Sequence, residues 1–93
     1  MKVSIITICY NSATTIEETI LSVLSQDYQN IEYIIVDGAS TDNTLAVIEK
    51  YRSRIHKVIS EKDEGLYDAL NKGIKLATGD LVGALHSDDV YSD

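Results

Sequence analysis

Short apolar runs alternate along the chain with stretches in which apolar residues recur at helical spacing. Three of these runs, at positions 3–9, 31–37 and 81–85, are nearly continuous, and the first two are rich in Ile and Val. The first two runs are typical of strands that are buried on both faces of a sheet, and the third predicts a further strand. A fourth run, at 55–61, carries polar residues that favour a more exposed strand. The pattern therefore predicts four strands.

Three amphipathic helices are predicted between the strands. The first carries Ile16, Ile20, Val23 and Leu24 at i, i+4, i+7 and i+8. Its start contains Thr14 and Glu17 at the spacing of a capping box. In the second helix, Thr41 or Asp42 can act as the cap. The three helices are predicted at positions 14–26, 41–52 and 66–77.

The resulting order, β-α-β-α-β-α-β, predicts an α/β fold. Alternation of this kind is typical of a mostly parallel sheet with helices on both faces, a Rossmann-like three-layer α/β/α arrangement. Ninety-three residues suffice for one small domain, and no linker or repeat interrupts them. We therefore expect a single domain over residues 1–93.

Polar and acidic residues cluster at the predicted carboxyl ends of the strands. Tyr10 and Asn11 follow the first strand, Asp37 closes the second, and acidic groups follow the third and fourth at 61–64 and 86–89. Ligands of open parallel sheets bind beyond the carboxyl ends of the strands, where the strand order reverses. Carboxylates at one edge repel one another unless a cation or a ligand donor lies between them. We therefore expect the ligand site at this edge.

Composition and charge narrow the possible functions. The chain is 44% hydrophobic and 25% charged, as soluble globular proteins are. Its net charge of −7 argues against nucleic-acid binding, which depends on clustered Lys and Arg. A single cysteine, Cys9, excludes an intramolecular disulfide and a cysteine-rich zinc site. Neither GxGxxG nor GxxxxGK[ST] follows the first strand, so a dinucleotide fold and a P-loop are also excluded.

The sequence also predicts where in the cell the protein is located. Its apolar stretches are far shorter than a bilayer span, and no signal-peptide pattern opens it. We therefore expect a cytoplasmic protein. A membrane anchor beyond residue 93, which would place the full-length protein at the inner face of the membrane, stays open.

Four motifs occur in a fixed order, each at or after a predicted strand end. They read TICYN, YIIVDGASTDNT, EGLYDALNKGIKLATGD and LHSDD. With these motifs the chain resembles the N-terminal, nucleotide-sugar-binding half of family-2 glycosyltransferases, which have the GT-A fold. The resemblance implies a sugar transfer used in polysaccharide biosynthesis, usually inverting, from a UDP-, GDP- or dTDP-linked donor to a hydroxyl of a glycan or lipid-linked acceptor. It also implies Mg²⁺ or Mn²⁺ as cofactor.

The resemblance assigns roles to residues at the matching positions. Tyr10 would pack near the nucleobase with Asn11 beside it, and Asp37 would help to hold the base and ribose. The triplet that ends in Asp88 matches the family's DxD element, so Asp88 would bind the ribose and the metal. Asp89 is a second candidate metal ligand.

One further candidate and three departures complete the expected site. Asp68, in the first turn of the third helix, is a candidate nucleotide contact. His86 stands where the family frequently has Asp or Asn, and Gly38 stands where many members carry a second acidic residue. Leu70 stands where many members have Arg, which removes one positive contact. These departures leave the identity of the recognised base open.

The resemblance covers only the donor-binding portion of the family's catalytic domain. In the family the general base, an Asp or Glu, comes from the C-terminal half, so we expect it beyond residue 93, together with the acceptor-binding portion. The catalytic residues are therefore unknown, and the 93-residue chain is not expected to catalyse transfer alone. Apolar surface left without its neighbouring elements is expected to promote self-association.

Simpler interpretations remain beside the functional ones. Asp37 also suits a turn, Asp42 suits a helix cap, and Asp88 with Asp89 also suits a solvated turn. The alternative function is a non-catalytic α/β interaction module that retains a vestigial nucleotide-sugar site. Such a module would dock through the open end of the sheet after the fourth strand.

Overall fold

The computed structural model describes residues 2–25, 30–62 and 64–86. Four strands and three helices alternate along the chain in the predicted order. The strands are β1 (Val3–Cys9), β2 (Ile31–Asp37), β3 (Lys57–Ser60) and β4 (Leu81–His86). The helices are α1 (Ile16–Leu24), α2 (Thr44–Lys50) and α3 (Leu66–Leu76), with a 3₁₀ turn at Arg52–Arg54 after α2.

The strands form a parallel sheet in the order β3-β2-β1-β4. The chain therefore passes from β1 through β2 to β3 in one direction and then returns to the other side of β1. The strand order reverses between β1 and β4, which makes their carboxyl ends the switch point. This arrangement confirms the predicted α/β fold.

Helices cover both faces of the sheet, because successive side chains of a strand point to opposite faces. One apolar cluster joins α1 and α2 to a face that includes Tyr33 and Ile35. A second cluster joins α3 to the face that carries Ile6 and Ile34. Gly73 permits close packing of α3, since a Cβ at that position would lie 2.6 Å from Cγ2 of Ile6. The three-layer arrangement is thus confirmed.

The predicted capping box at the start of α1 is wrong. Thr15, not Thr14, is the N-cap residue, and it makes no side-chain capping hydrogen bond. The carbonyl oxygen of Ser12 accepts the N–H of Thr15 at 3.0 Å. Glu17 instead accepts a short hydrogen bond from the hydroxyl of Tyr51 at the end of α2. A tertiary contact between the two helices has therefore replaced the local cap.

A buried carboxylate that the sequence pattern did not indicate fastens the amino end of the sheet. Glu32 is 5% exposed and accepts hydrogen bonds from the hydroxyl of Ser4 and the N–H of Thr78, both at 2.8 Å. The Nζ of Lys57 lies 3.1 Å from its Oε2 and also donates to the carbonyl oxygen of Leu76, at the end of α3. The cluster thus joins three strands to the C-terminus of α3.

These contacts also shift the pKa of Glu32. Burial alone would raise the pKa of Glu32, but the hydrogen bonds from Thr78, Ser4 and Lys57 outweigh it and lower the pKa to about 2.

In the described part of the chain, no helix is both long and apolar enough to cross a membrane.

We expect the Glu32 cluster to make stability depend on pH. The pKa of Glu32 is depressed from 4.5 to about 2 on folding, so its contribution is present above pH 4.5 and is lost as the pH falls toward 2. The substitution Glu32→Gln should lower the free energy of unfolding by roughly 2 kcal/mol at pH 7, which is in the range of hydrogen bonds to charged groups. Urea unfolding at pH 7 and at pH 3 measures both effects.

The matched control is Glu49→Gln, because Glu49 is exposed on α2 and forms an ion pair with exposed Arg52, which contributes little to stability. The difference in stability between the wild-type chain and Glu32→Gln should shrink between pH 7 and pH 3, whereas Glu49→Gln should track the wild type. A constant difference for Glu32→Gln across that interval would contradict the assignment.

Candidate active site at the carboxyl edge of the sheet

Register brings the ends of β1, β2 and β3 into line. Cys9 is the Cα partner of Asp37, and Asp37 is the partner of Ser60. On the other side of β1, His86 is the partner of Ile8. The segments that follow these strands therefore leave the sheet from a common edge, as the sequence analysis expected.

Asp37 lies at the centre of this edge with its side chain fully buried, at 0% exposure. Its Oδ2 accepts the N–H of Ser40 at 2.9 Å and the hydroxyl of Ser60 at 2.8 Å. Its Oδ1 accepts the hydroxyl of Ser40 and lies 3.5 Å from the sulfur of Cys9. A buried carboxylate is costly unless hydrogen bonds replace its water, and here both oxygens have donors.

Asn11 connects the loop after β1 to the loop after β2. Its backbone N–H donates to the hydroxyl oxygen of Ser40 at 2.8 Å, and its side-chain oxygen accepts the N–H of Thr41 at 2.8 Å. Asn11 has φ 49° and Ala39 has φ 63°, both in the left-handed region, which Asn tolerates better than Ala. The two loops therefore support each other in an uncommon backbone conformation.

Tyr10 is half-buried directly after β1. Its N–H donates to the hydroxyl oxygen of Ser12, and that hydroxyl lies equally close to the Tyr10 carbonyl oxygen, both at 3.2 Å. The N–H of Ser12 in turn donates to the hydroxyl oxygen of buried Thr44 at 2.7 Å. The start of α2 thus fixes the loop that carries Tyr10.

The predicted N-cap of α2, Thr41 or Asp42, is wrong, because Asn43 is the N-cap residue and makes no side-chain capping hydrogen bond. Asp42 lies one residue earlier and holds the start of the helix from there. Its Oδ1 accepts the N–H of Thr44, the first helical residue, at 2.9 Å, and its Oδ2 accepts the N–H of Ala13 at 3.3 Å. Partial burial would raise the pKa of Asp42, but the hydrogen bonds from Thr44 and Ala13 lower it. Asp42 is therefore a structural residue of the two loops.

Asp68 closes the loop between β3 and α3. Its Oδ2 accepts the N–H of Glu64 at 2.8 Å and lies 3.5 Å from the Nζ of Lys72. That ammonium also lies 3.3 Å from Glu61 and donates to the carbonyl oxygen of Lys62 at 2.8 Å. The hydrogen bond from Glu64 is the main cause that lowers the pKa of Asp68, with Lys72 adding to it.

The structure thus gathers Tyr10, Asn11 and Asp37 at one edge and places Asp68 in the first turn of α3, next to the β3–α3 loop. The other two expected site residues, Asp88 and Asp89, lie outside the described residues. Within residues 2–25, 30–62 and 64–86, no group of three or more His, Cys, Asp or Glu side chains is arranged to hold a metal ion. The metal site therefore stays a prediction.

Sequence reasoning missed Ser40, Ser60 and Lys72 at this edge. The sequence could have indicated the contact of Lys72 with Asp68, because the two residues are four positions apart and such pairs meet on a helix. Ser60 had none, since its contact with Asp37 depends on the register of β2 against β3. Ser40 lies in the predicted turn, but its hydrogen bonds depend on the path of the loop.

Solved structures of glycosyltransferases share this fold. Over 95% of the chain, S. aureus TarS 1–349 in complex with UDP-GlcNAc superimposes with a TM-score of 0.85 and 35% sequence identity. The mannosyltransferase PcManGT from Pyrobaculum calidifontis, in complex with GDP-Man and Mn²⁺, superimposes over 94% of the chain with a TM-score of 0.85 and 31% identity. The chain covers 27% of each of these proteins.

Sequence comparison leads to the same group of enzymes. The chain is 43% identical over 90 residues to UDP-Glc:alpha-D-GlcNAc-diphosphoundecaprenol beta-1,3-glucosyltransferase WfaP of Escherichia coli. The matched region covers 96% of the chain and 36% of WfaP. The chain thus spans about a third of the length of curated relatives that it matches. Residues 4–93 match the family model described as "Glycosyl transferase family 2". The chain belongs to glycosyl transferase family 2.

Proposed function

We propose that the chain is the donor-binding portion of a glycosyltransferase that transfers a sugar from a nucleotide-diphosphate sugar to a hydroxyl acceptor. The observation that carries this proposal is the convergence of Tyr10, Asn11 and Asp37 at the carboxyl edge, beside the β1–β4 switch point, in a member of family 2. TarS with UDP-GlcNAc and PcManGT with GDP-Man support a UDP- or GDP-linked donor, and a dTDP-linked donor is the third candidate.

The described residues suggest how a donor would be held. Tyr10 offers a half-buried aromatic ring on which a nucleobase can stack, and Asn11 fixes the loop beside it. Asp37 is buried and holds the loop after β2 to the end of β3 through Ser40 and Ser60. Asp68 has a side chain that is 38% exposed, so its carboxylate can meet a ligand while it closes the β3–α3 loop.

The metal is proposed to bind Asp88 and Asp89, which come two and three residues after the end of β4 in the sequence. Two consecutive carboxylates supply the hard oxygen ligands that Mg²⁺ and Mn²⁺ take, usually one or two from the protein. When bound, such a cation neutralises the charge that develops on the diphosphate leaving group. The Mn²⁺ in the PcManGT complex supports this choice of cofactor.

The remaining machinery is proposed to lie outside these 93 residues, which form one donor-binding domain. The chain spans about a third of its curated relatives, which leaves room for an acceptor-binding portion and a general base. That base would deprotonate the acceptor hydroxyl on the face of the sugar opposite the leaving group, with inversion at the anomeric carbon. The diphosphoundecaprenol in WfaP's name supports a lipid-linked acceptor and a cytoplasmic enzyme at the inner face of the membrane.

Nucleotide binding tests this function directly. Calorimetric titration of the chain with UDP, GDP and dTDP, each with and without Mn²⁺, should show metal-dependent binding of at least one nucleotide. Because Asp88 is proposed to bind the metal, Asp88→Ala should remove the gain in affinity that Mn²⁺ gives the wild-type chain, which we expect to be about tenfold or more.

Glu18→Ala is the control, since Glu18 is an exposed acidic residue on α1. It should bind the nucleotide as the wild type does, and circular dichroism should show that all three proteins are folded. A folded wild-type chain that binds none of the three nucleotides would contradict the proposal.

A second candidate function is a module that acts through protein contacts, and the exposed apolar surface of β4 supports it. Leu81, Val82 and Leu85 are 53%, 47% and 43% exposed, and no charged residue interrupts 81–85. A groove of about 330 Å³ runs beside them, lined by Ile5, Ser22, Val23, Ile31, Gly83, Ala84 and Leu85. Uncharged edge strands readily recruit another chain.

We expect the 93-residue chain to self-associate through this surface. Leu85→Lys should shift the chain toward monomer in light scattering, because a charge on an edge strand opposes pairing. Leu21→Lys, at a comparably exposed leucine of α1, should leave the association unchanged. A wild-type chain that stays strictly monomeric at high concentration would refute self-association.

A further inference from the structure

The carboxyl end of the edge strand β3, whose last residue is Ser60, is joined to Asp37 by two hydrogen bonds. The hydroxyl of Ser60 donates to Oδ2 of Asp37 at 2.8 Å. One residue later, the N–H of Glu61 donates to the carbonyl oxygen of Asp37 at 3.0 Å. The end of β3 therefore determines both where the backbone of Asp37 lies and how its carboxylate is turned.

The other carboxylate oxygen leads to the loop after β1. Oδ1 accepts the hydroxyl of Ser40, and the oxygen of that hydroxyl accepts the N–H of Asn11 at 2.8 Å. Hydrogen bonds in such chains polarise one another, so the loss of one weakens the next. Through Asp37, Ser60 on the outer strand is thus connected to the loop that carries Tyr10, two strands away.

The acceptor and the donor of the Ser60–Asp37 hydrogen bond differ in their access to water. Asp37 is fully buried, whereas Ser60 is an exposed residue of an edge strand. Without its hydroxyl, either a water molecule occupies the position or the carboxylate turns to find another donor. Both outcomes change the surroundings of the Asp37 carboxylate, since neither restores the Ser60 hydroxyl.

We propose that Ser60 is a positioning residue of the donor site, which acts through the carboxylate of Asp37 to hold the Asn11 loop in its ligand-binding conformation. This inference rests on the proposed nucleotide-sugar function. Ser60 itself touches no ligand in this account. Its contribution is the orientation of a carboxylate that supports the loops on both sides.

A pair of isosteric variants isolates the hydroxyl. Ser60→Thr keeps the donor and Ser60→Val has the same shape without it, and both β-branched side chains suit a strand. Titration with the nucleotide that binds most tightly, in the presence of Mn²⁺, should give Ser60→Thr an affinity close to that of the wild type. Ser60→Val should bind about tenfold more weakly, the cost of roughly one hydrogen bond to a charged group.

Thermal unfolding separates positioning from a purely structural role. We expect Ser60→Val to melt somewhat below Ser60→Thr, since a donor to a buried carboxylate is lost, but to stay folded at the temperature of the titration and to bind more weakly than its folded fraction explains. The same Thr and Val substitutions at Ser53, an exposed serine of the 3₁₀ turn, should leave binding unchanged. A loss of binding in Ser60→Val that only follows a loss of folded protein would overturn the proposal.

Adding Ser40→Ala to Ser60→Val provides a second check. Because both serines act on one carboxylate, the combined loss of affinity should be smaller than the product of the two separate losses. Equal binding by Ser60→Thr and Ser60→Val would overturn this inference alone. Absence of nucleotide binding by the folded wild-type chain would overturn the proposed function, and this inference with it.

Discussion

The hydrogen bonding of the buried Asp37 carboxylate is the constraint on which the candidate site depends. Strand β2 lies between β1 and β3 and is covered by helices on both faces, so its last side chain has little access to water. A carboxylate in that position must find protein donors. It finds them in Ser40 and Ser60, and meeting this requirement fixes the loops that surround the carboxyl edge.

A second buried carboxylate, Glu32, lies near the opposite, N-terminal end of β2. Its partners are a strand residue, a helix-terminal loop and a lysine that also binds the end of α3, so its contacts hold secondary-structure elements together. The partners of Asp37 are Ser40, in the loop after β2, and the last residues of the two neighbouring strands, Cys9 and Ser60. The two ends of β2 therefore have different tasks, since one stabilises the fold and the other shapes the surface available to a ligand.

Much of the fold followed from periodicity, whereas most contacts within the site did not. Continuous apolar runs predicted the strands, and the rule for open sheets placed Tyr10, Asn11 and Asp37 at one edge before the strand order was known. The capping box at Thr14 failed because Glu17 reaches Tyr51 on another helix, and local spacing carries no information on such contacts. The roles of Ser60 and Glu32 depend on strand register and tertiary packing, which composition and spacing leave undetermined.

Chemical shifts of individual backbone amides on nucleotide binding would show whether the carboxyl edge of the sheet is the donor site. With ¹⁵N-labelled chain, saturating UDP or GDP and Mg²⁺, the largest amide shifts should fall at residues 10–12, 37–41 and 60–64. Shifts centred on Glu32 and Thr78 at the amino edge, or spread evenly over the sheet, would contradict the account.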